Sequence, residues 1–191
     1  MALAPQGKYS LTAVLLSPWW IVLLGAVVRL IYAFQFSHTP FWSVTSWDAD
    51  EYFRMAFNLS QRHGDLAWHY RPILYPFLLG ILFIVAGAHL TLIYWVQTVL
   101  GVMNGLIVRA VGEKMFSPTA GALAGSLMVV SGVGIHLEFQ VLPTILSITL
   151  MLISLGLLMR GSYDPRSLFG SGLAAGLSAL TWPLMVVIVP V

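Results

Sequence analysis

The sequence predicts an all-α protein, a polytopic bundle of transmembrane helices with about five spans. Two observations predict this class. Of the 191 residues, 59% are hydrophobic and only 8% are charged, and the mean hydropathy is +0.88. A soluble domain of this length carries far more charge on its surface. The apolar residues also gather into runs close to the roughly 20 residues that a helix needs to cross about 30 Å of hydrocarbon.

The first span is predicted over residues 11–36. Its apolar part, residues 11–28, is longer than the hydrophobic region of a cleavable signal peptide, and no small-residue cleavage pattern follows it. Arg29 lies late in this span. A charged residue at that depth has a partner or reaches the interface, and we expect the long side chain of Arg29 to extend to the headgroups.

Residues 37–90 are predicted to form a long extracytoplasmic loop that contains interfacial or re-entrant helices. Residues 49–62 have helical spacing, and Asp48 stands where a carboxylate can cap the free N–H groups of that helix. The apolar run 73–88 contains Pro76 and offers only about a dozen uninterrupted apolar residues, a length more typical of a re-entrant or interfacial segment than of a span.

Residues 91–191 are predicted to supply four further spans, and Pro183 is expected to kink or break the last of them. If the run 73–88 does not span, the N-terminus and the basic loops are cytoplasmic, which obeys the positive-inside rule. The whole chain, residues 1–191, is then one transmembrane domain. The approximate ranges of the four spans are 91–112, 119–135, 143–159 and 167–189, and the basic residues assigned to the cytoplasm are Lys8, Arg109, Lys114, Arg160 and Arg166.

Composition also excludes several kinds of partner and site. The chain has no cysteine, so disulfides and thiolate metal sites are excluded. Its net charge of +2 is too small to indicate a surface for nucleic acid. The partners left open by the sequence are membrane lipids and other membrane proteins.

Three acidic residues stand together in the predicted extracytoplasmic loop, in the segment Asp48-Ala49-Asp50-Glu51-Tyr52. Like charges this close raise the pKa of at least one carboxyl group unless a cation intervenes. Such a cluster could hold a divalent cation such as Mg or Mn through oxygen ligands, or supply a general base. It could equally be the capped, solvated start of a helix.

Two basic or mixed segments lie on the same predicted side of the membrane. In Arg71-Pro72-Ile73-Leu74-Tyr75-Pro76 the arginine precedes two prolines, where its planar guanidinium could bind a phosphate or simply anchor the chain at the interface. The segment His136-Leu137-Glu138 is expected to form the short outer loop between the third and fourth spans. It could complete a metal or substrate site, or be an ordinary loop at a helix end.

Taken together, these motifs resemble the lipid-linked-sugar glycosyltransferases of the C-type membrane fold, which include protein O-mannosyltransferases, oligosaccharyltransferases and the bacterial aminoarabinose transferase of lipid A. The resemblance covers most of the chain from about Arg29 onward. The matching features are the first helix with Arg29, Asp48-x-x-x-Tyr52-x-x-x-Ala56, Arg71-Pro-x-Leu-Tyr-Pro76, Val108-Arg109 to Lys114-Met115-Phe116, Glu138-x-x-x-Leu142-Pro143 and Gly176-Leu-x-x-Leu-Thr181-x-Pro183.

The resemblance implies a role for each matching position. Asp48 would be the catalytic carboxylate that accepts the acceptor's proton or orients the acceptor, and Arg71 would contact the phosphate of a polyprenyl-phosphate sugar. Glu138 would lie at the rim of the same cavity, and a divalent cation, if present, would be held by Asp48, Asp50 and Glu138. The other substrate-binding positions would be Asp50, Glu51, Tyr52, Tyr75 and His136.

The resemblance also implies a location and leaves one alternative open. We expect a multi-pass protein, with a bacterial inner membrane as its location. One departure is Trp182, which stands where many relatives have a basic residue. Relatives have eight or more spans, so the sequence is either the N-terminal part of a longer enzyme or a truncated relative serving as a non-catalytic subunit of a larger membrane complex.

Overall fold

The structure is a computed structural model that describes residues 17–45, 47–61, 71–159 and 164–183. These residues form eight α-helices and one short 3₁₀ helix, Pro40–Trp42, and contain no strand. The predicted all-α membrane bundle is confirmed. In chain order the α-helices are α1 Pro18–Ser37, α2 Asp48–Ser60, α3 Leu74–Ala86, α4 Leu90–Met115, α5 Pro118–Val130, α6 Gly132–Glu138, α7 Thr144–Leu158 and α8 Pro165–Thr181.

Several helices begin where a polar side chain caps the first turn. Ser17 accepts a hydrogen bond from the backbone N–H of Trp19, and Pro18 follows it as the first helical residue of α1. Asp164 caps α8 in the same way, again directly before a proline. A capping oxygen satisfies an N–H group that has no partner inside the helix, and proline at the first position lacks that N–H. These starts are therefore encoded locally.

Helices α7 and α8 form an antiparallel pair joined by hydroxyl contacts. The Oγ atoms of Ser147 and Ser178 lie 3.0 Å apart, and those of Ser154 and Ser171 lie 2.9 Å apart. All four side chains are buried. Small hydroxyl residues let helices approach closely within a membrane and replace water as hydrogen-bond partners for one another.

One end of the bundle is defined by an aromatic cluster of Phe36, Trp42, Tyr94 and Phe139, which we call the aromatic end. The ring centroids of Phe36 and Tyr94 are 6.3 Å apart, and those of Tyr94 and Phe139 are 5.6 Å apart. Here α1 and α6 end while α4 and α7 begin. The opposite end, where α4 ends and α8 begins, we call the basic end; it carries Arg109, Lys114 and Arg166.

The number of spans stays a prediction. Helices α1 and α4, with 20 and 26 residues, are long and apolar enough to cross a membrane. Helices α5 and α6 are bent by 52° at Ser131 and together can form one broken span, which gives up to three. The bend at Ser131 lies within the third span predicted over 119–135, which stays a prediction. Helix α7 is a shorter apolar helix.

The ends of the first and last predicted spans fall partly outside the described residues. Residues 11–16 and 184–189 belong to the predicted spans but not to the described ranges. Helix α8 ends at Thr181, two residues before Pro183, and Trp182 has an extended backbone with φ −146° and ψ 105°. A residue that precedes proline is driven away from helical geometry, so the predicted break at this proline is observed.

Helix α3 corresponds to the ambiguous apolar run and packs against α2. The rings of Tyr75 and Tyr52 lie edge to face with centroids 5.4 Å apart, and those of Phe83 and Phe53 are 5.2 Å apart. The start of α3 thus meets the start of α2, and three residues separate the end of α3 from the start of α4. Tyr75 and Phe83 of α3 belong to the same buried cluster as Phe36, Tyr94 and Phe139 of the aromatic end. That this run does not span the membrane stays a prediction.

Candidate functional site

The centre of the candidate site is an arginine held between two carboxylates. Asp48 and Glu51 are one helical turn apart at the start of α2. Arg71 Nη2 donates to Asp48 Oδ1 at 2.5 Å, and Arg71 Nε donates to Glu51 Oε2 at 2.8 Å. The Arg71 guanidinium carbon also lies 5.5 Å from the ring centroid of Tyr52, within the range of a cation–π contact.

A strained residue precedes this cluster. Trp47 has a φ of 54° and is the only non-glycine residue with positive φ in the described part of the chain. Its side chain is 89% exposed, so packing does not hold it there. With ψ at −130°, Trp47 lies outside the regions that a residue with a bulky side chain ordinarily occupies. The positive φ of Trp47 turns the chain so that α2 begins at Asp48. Nothing in the sequence motif had indicated this strained residue.

The ion pairs fix the protonation state of the site. The hydrogen bond from Arg71 lowers the pKa of Asp48 below its ordinary value. The same bond raises the pKa of Arg71 above its usual value, and burial raises the pKa of Tyr52. At neutral pH Asp48 is therefore a carboxylate, Arg71 a cation and Tyr52 a neutral phenol.

Asp48, Tyr52 and Arg71 line an open cavity of about 360 Å³. Its other walls come from the turn that starts α7 and from the residues that follow α8. Within the part of the chain that the structure describes, the carboxylate and the guanidinium are the charged groups of this lining. The remaining lining residues are Pro72, Leu142, Pro143, Thr144, Trp182 and Pro183.

The structure places Asp50 and Tyr75 outside this cavity. Asp50 accepts a hydrogen bond from Thr45 Oγ1 at 3.0 Å and pairs with Arg54 one turn along α2, with N–O 2.8 Å. Tyr75 is buried behind Tyr52, and its hydroxyl has no partner among the described residues. It can support the Tyr52 ring but does not reach the cavity lining.

Glu138 forms a separate, fully buried ion pair with Arg29. Arg29 Nε donates to Glu138 Oε2 at 2.7 Å and Nη2 to Oε1 at 2.5 Å, and each residue is 1% exposed. Arg29 Nη1 also donates to the carbonyl oxygens of Gly25 and Val129. The Val129 carbonyl lies in the last turn of α5, where intrahelical partners run out.

Two expectations are corrected by this pair. Glu138 does not line the rim of the Asp48 cavity, and Arg29 does not extend to the headgroups. The physical reason is that a carboxylate and two backbone carbonyls within the bundle satisfy the guanidinium where it stands. A buried charge is tolerated when it is paired and hydrogen-bonded.

His136 faces a second, aromatic cavity. Its Nδ1 lies 2.8 Å from the hydroxyl of Tyr32. This cavity of about 230 Å³ lies beside the first, with Ala49 and Val141 in its wall, and its lining contains neither Asp48 nor Arg71. His136 is therefore close to the candidate site but does not share its cavity.

The expected metal-binding set is not assembled. Each of its three carboxylates, Asp48, Asp50 and Glu138, is paired with a different arginine. Among the described residues, no group of three histidine, aspartate or glutamate side chains is placed to hold a metal ion. The chemistry available in the Asp48 cavity is that of one carboxylate and one guanidinium beside an apolar wall.

Comparison with known protein families identifies the family of the chain. Residues 70–191, more than half of the chain, match the family described as dolichyl-phosphate-mannose-protein mannosyltransferase. The chain belongs to this family. This family consists of membrane glycosyltransferases of the C type, and the chain is therefore a membrane protein of that class. No curated protein and no solved structure matches the chain significantly.

The family match covers one half of the candidate site. It begins just before Arg71 and includes the cavity residues of the α7 turn and Trp182, whereas Asp48 lies upstream of it. Trp182, which stands where many relatives have a basic residue, lines the cavity. Among the described lining residues the positive charge therefore comes from Arg71. The pairing of Arg29 with Glu138 was missed because the two residues are 109 positions apart and neither motif names its partner.

Proposed function

We propose that the chain carries the reaction centre of a glycosyltransferase that moves a sugar from a polyprenyl-phosphate donor to an extracytoplasmic acceptor. The observation that carries the proposal is the Asp48–Arg71 pair in the lining of a cavity built largely from residues of the family match. A carboxylate next to a guanidinium supplies the two groups that this transfer requires, a proton acceptor and a cation for phosphate.

Arg71 is the group suited to the donor. Its guanidinium presents paired N–H donors that match two phosphate oxygens, and charge-assisted hydrogen bonds of this kind are about twice as strong as neutral ones. The apolar wall of Leu142, Pro143 and Trp182 would accommodate the lipid next to the phosphate. Donor binding would thus draw Arg71 away from Asp48.

Asp48 then acts on the acceptor. Losing the hydrogen bond from Arg71 raises the pKa of Asp48 toward the ordinary value near 3.9 and makes it a stronger base. The acceptor hydroxyl oxygen forms a bond to the anomeric carbon while the bond from that carbon to the phosphate oxygen breaks. The hydroxyl proton passes to Asp48, and the departing phosphate keeps the electron pair and is stabilised by Arg71.

A non-catalytic subunit is the alternative, and one observation favours it. Arg71 already has two carboxylate partners, Asp48 and Glu51, so the cluster could serve only to join α2 to the start of α3. A divalent cation would have to displace the guanidinium to reach Asp48. A charge swap separates the two roles.

The test uses the full-length protein in proteoliposomes and follows sugar transfer from a polyprenyl-phosphate donor. Asp48→Asn and Arg71→Gln should each lower transfer by about 100-fold or more, the range expected for loss of a general base or a charge-stabilising group. Asp50→Asn, which removes a neighbouring carboxylate outside the cavity, is the control and should transfer normally.

The double variant Asp48→Arg with Arg71→Asp keeps an ion pair but reverses its direction. If the Asp48–Arg71 pair is catalytic, the double variant should fold but remain inactive in sugar transfer. If transfer returned to the parent rate in the double variant, or if Asp48→Asn transferred normally, the cluster would be structural and the proposal would be wrong.

A further inference from the structure

An apolar groove lies between α4 and α7 at the basic end, remote from the Asp48 cavity. Its volume is about 480 Å³. Among the described residues that line it, Lys114 is the charged one and the others are apolar. The apolar lining residues are Leu106, Ile107, Ala110, Val111, Ile153, Gly156, Leu157 and Met159.

The groove follows the axis of α4. Four lining residues of α4 follow the i, i+3, i+4, i+7 pattern and therefore share one face of the helix: Ile107, Ala110, Val111 and Lys114. At 1.5 Å per residue, the groove runs about 10 Å from Ile107 to Lys114. Gly156 leaves space on the α7 side, because a Cβ there would meet only Ile107 Cγ2, at 3.8 Å. A groove of this volume and apolar lining suits a flexible hydrocarbon chain.

Lys114 is an exposed cation without an acidic partner among the described residues. The neighbouring carboxylate, Glu113, faces Arg109 instead, with Arg109 Nε donating to Glu113 Oε1 at 2.6 Å. A lysine at the end of a membrane helix places its ammonium at headgroup depth while its stem follows apolar surface. The groove therefore combines an apolar channel of about 480 Å³ with the positive charge of Lys114 at one end.

We propose that this groove binds one acyl chain of an anionic phospholipid, with the phosphate of the headgroup against Lys114. Basic positions between membrane helices select anionic headgroups in this way. A further apolar protein helix is a poorer occupant, because it would cover the ammonium without supplying an anion. This site is independent of the sugar-transfer proposal, since it lies at the other end of the bundle.

The test measures lipids retained by the full-length protein after exchange in vesicles of equal phosphatidylglycerol and phosphatidylcholine with identical acyl chains, read by native mass spectrometry. The parent should retain phosphatidylglycerol preferentially. Lys114→Gln should reduce that preference about fivefold, because one lysine near the surface is worth about 1 kcal/mol for an anionic lipid. Arg166→Gln removes an exposed cation at the same end but outside the groove, and should leave the preference unchanged.

A second variant tests the groove itself. Gly156→Leu should fill the channel and reduce retention of both lipids, while resistance to thermal unfolding shows that the variant is folded. Equal retention of the two lipids by the parent would overturn the proposal, and so would an unchanged preference in Lys114→Gln. Retention unaffected by Gly156→Leu would show that the lipid lies elsewhere.

Discussion

The buried pair of Arg29 and Glu138 gives the sharpest prediction about stability. Each residue is 1% exposed, and the guanidinium makes two hydrogen bonds to the carboxylate, of 2.7 and 2.5 Å. Glu138→Ala leaves the guanidinium in the bundle with only the carbonyls of Gly25 and Val129. Removing one partner of a buried pair costs about 3–5 kcal/mol, because the remaining charge loses its counterion without regaining water.

Replacing both partners should have a much smaller effect. Arg29→Met with Glu138→Leu removes both charges and fills most of their volume with apolar groups. Such replacements are often neutral or stabilising, since the desolvation cost of the two ions also disappears. We therefore expect the double variant to recover most of the stability lost in Glu138→Ala.

The assay is unfolding in mixed micelles at increasing mole fraction of sodium dodecyl sulfate, followed by tryptophan fluorescence. Arg54→Ala is the control, because its side chain is 75% exposed and an exposed ion pair is worth at most about 1 kcal/mol. The reasoning is refuted if Glu138→Ala is no less stable than this control. It is also refuted if the double variant is as unstable as the single one.

Three further predictions concern other positions. Gly101→Ala should destabilise the protein, because the added Cβ would overlap the carboxylate of the buried ion pair; Gly176→Ala, where nothing lies within 4 Å, should be neutral or stabilising by up to about 1 kcal/mol when unfolding is measured in the same way. Asn104 is fully buried with neither amide atom hydrogen-bonded among the described residues, so Asn104→Leu should raise the free energy of unfolding by about 1–3 kcal/mol, and a loss of stability would reveal a partner. Arg71→Gln removes the main cause of the lowered pKa of Asp48, so protonation of that carboxyl should begin at a higher pH than in the parent, as read from its ¹³C chemical shift; an unchanged titration would contradict the ion pair.

Much of the fold was predictable because lipid imposes simple rules on sequence. The all-helical bundle followed from composition and run length, and the break at Pro183 followed from backbone sterics. The break at Ser131 was missed. Residues 119–135 form one apolar run, and the cap made by Ser131 Oγ to the N–H of Gly134 depends on a single hydroxyl within it.

The candidate site was predicted in part because its members are close in sequence. Asp48, Glu51 and Tyr52 share one helical face, and Arg71 stands only 20 positions after Glu51. The long-range ion pair was not predictable, because no local pattern in the sequence indicates that Glu138 binds Arg29 of α1. The assignment of Glu138 to the cavity rim therefore failed, although it does lie at the aromatic end.

The pairing of residues 109 positions apart has a consequence for biosynthesis. At about 5–20 residues per second, ribosomes need roughly 5–20 s to make the intervening chain. During that interval the first helix carries an uncompensated guanidinium, which is unfavourable in hydrocarbon. The nascent helix is therefore expected to wait beside the translocation machinery until the later acidic segment emerges, and release into lipid should be delayed for both together.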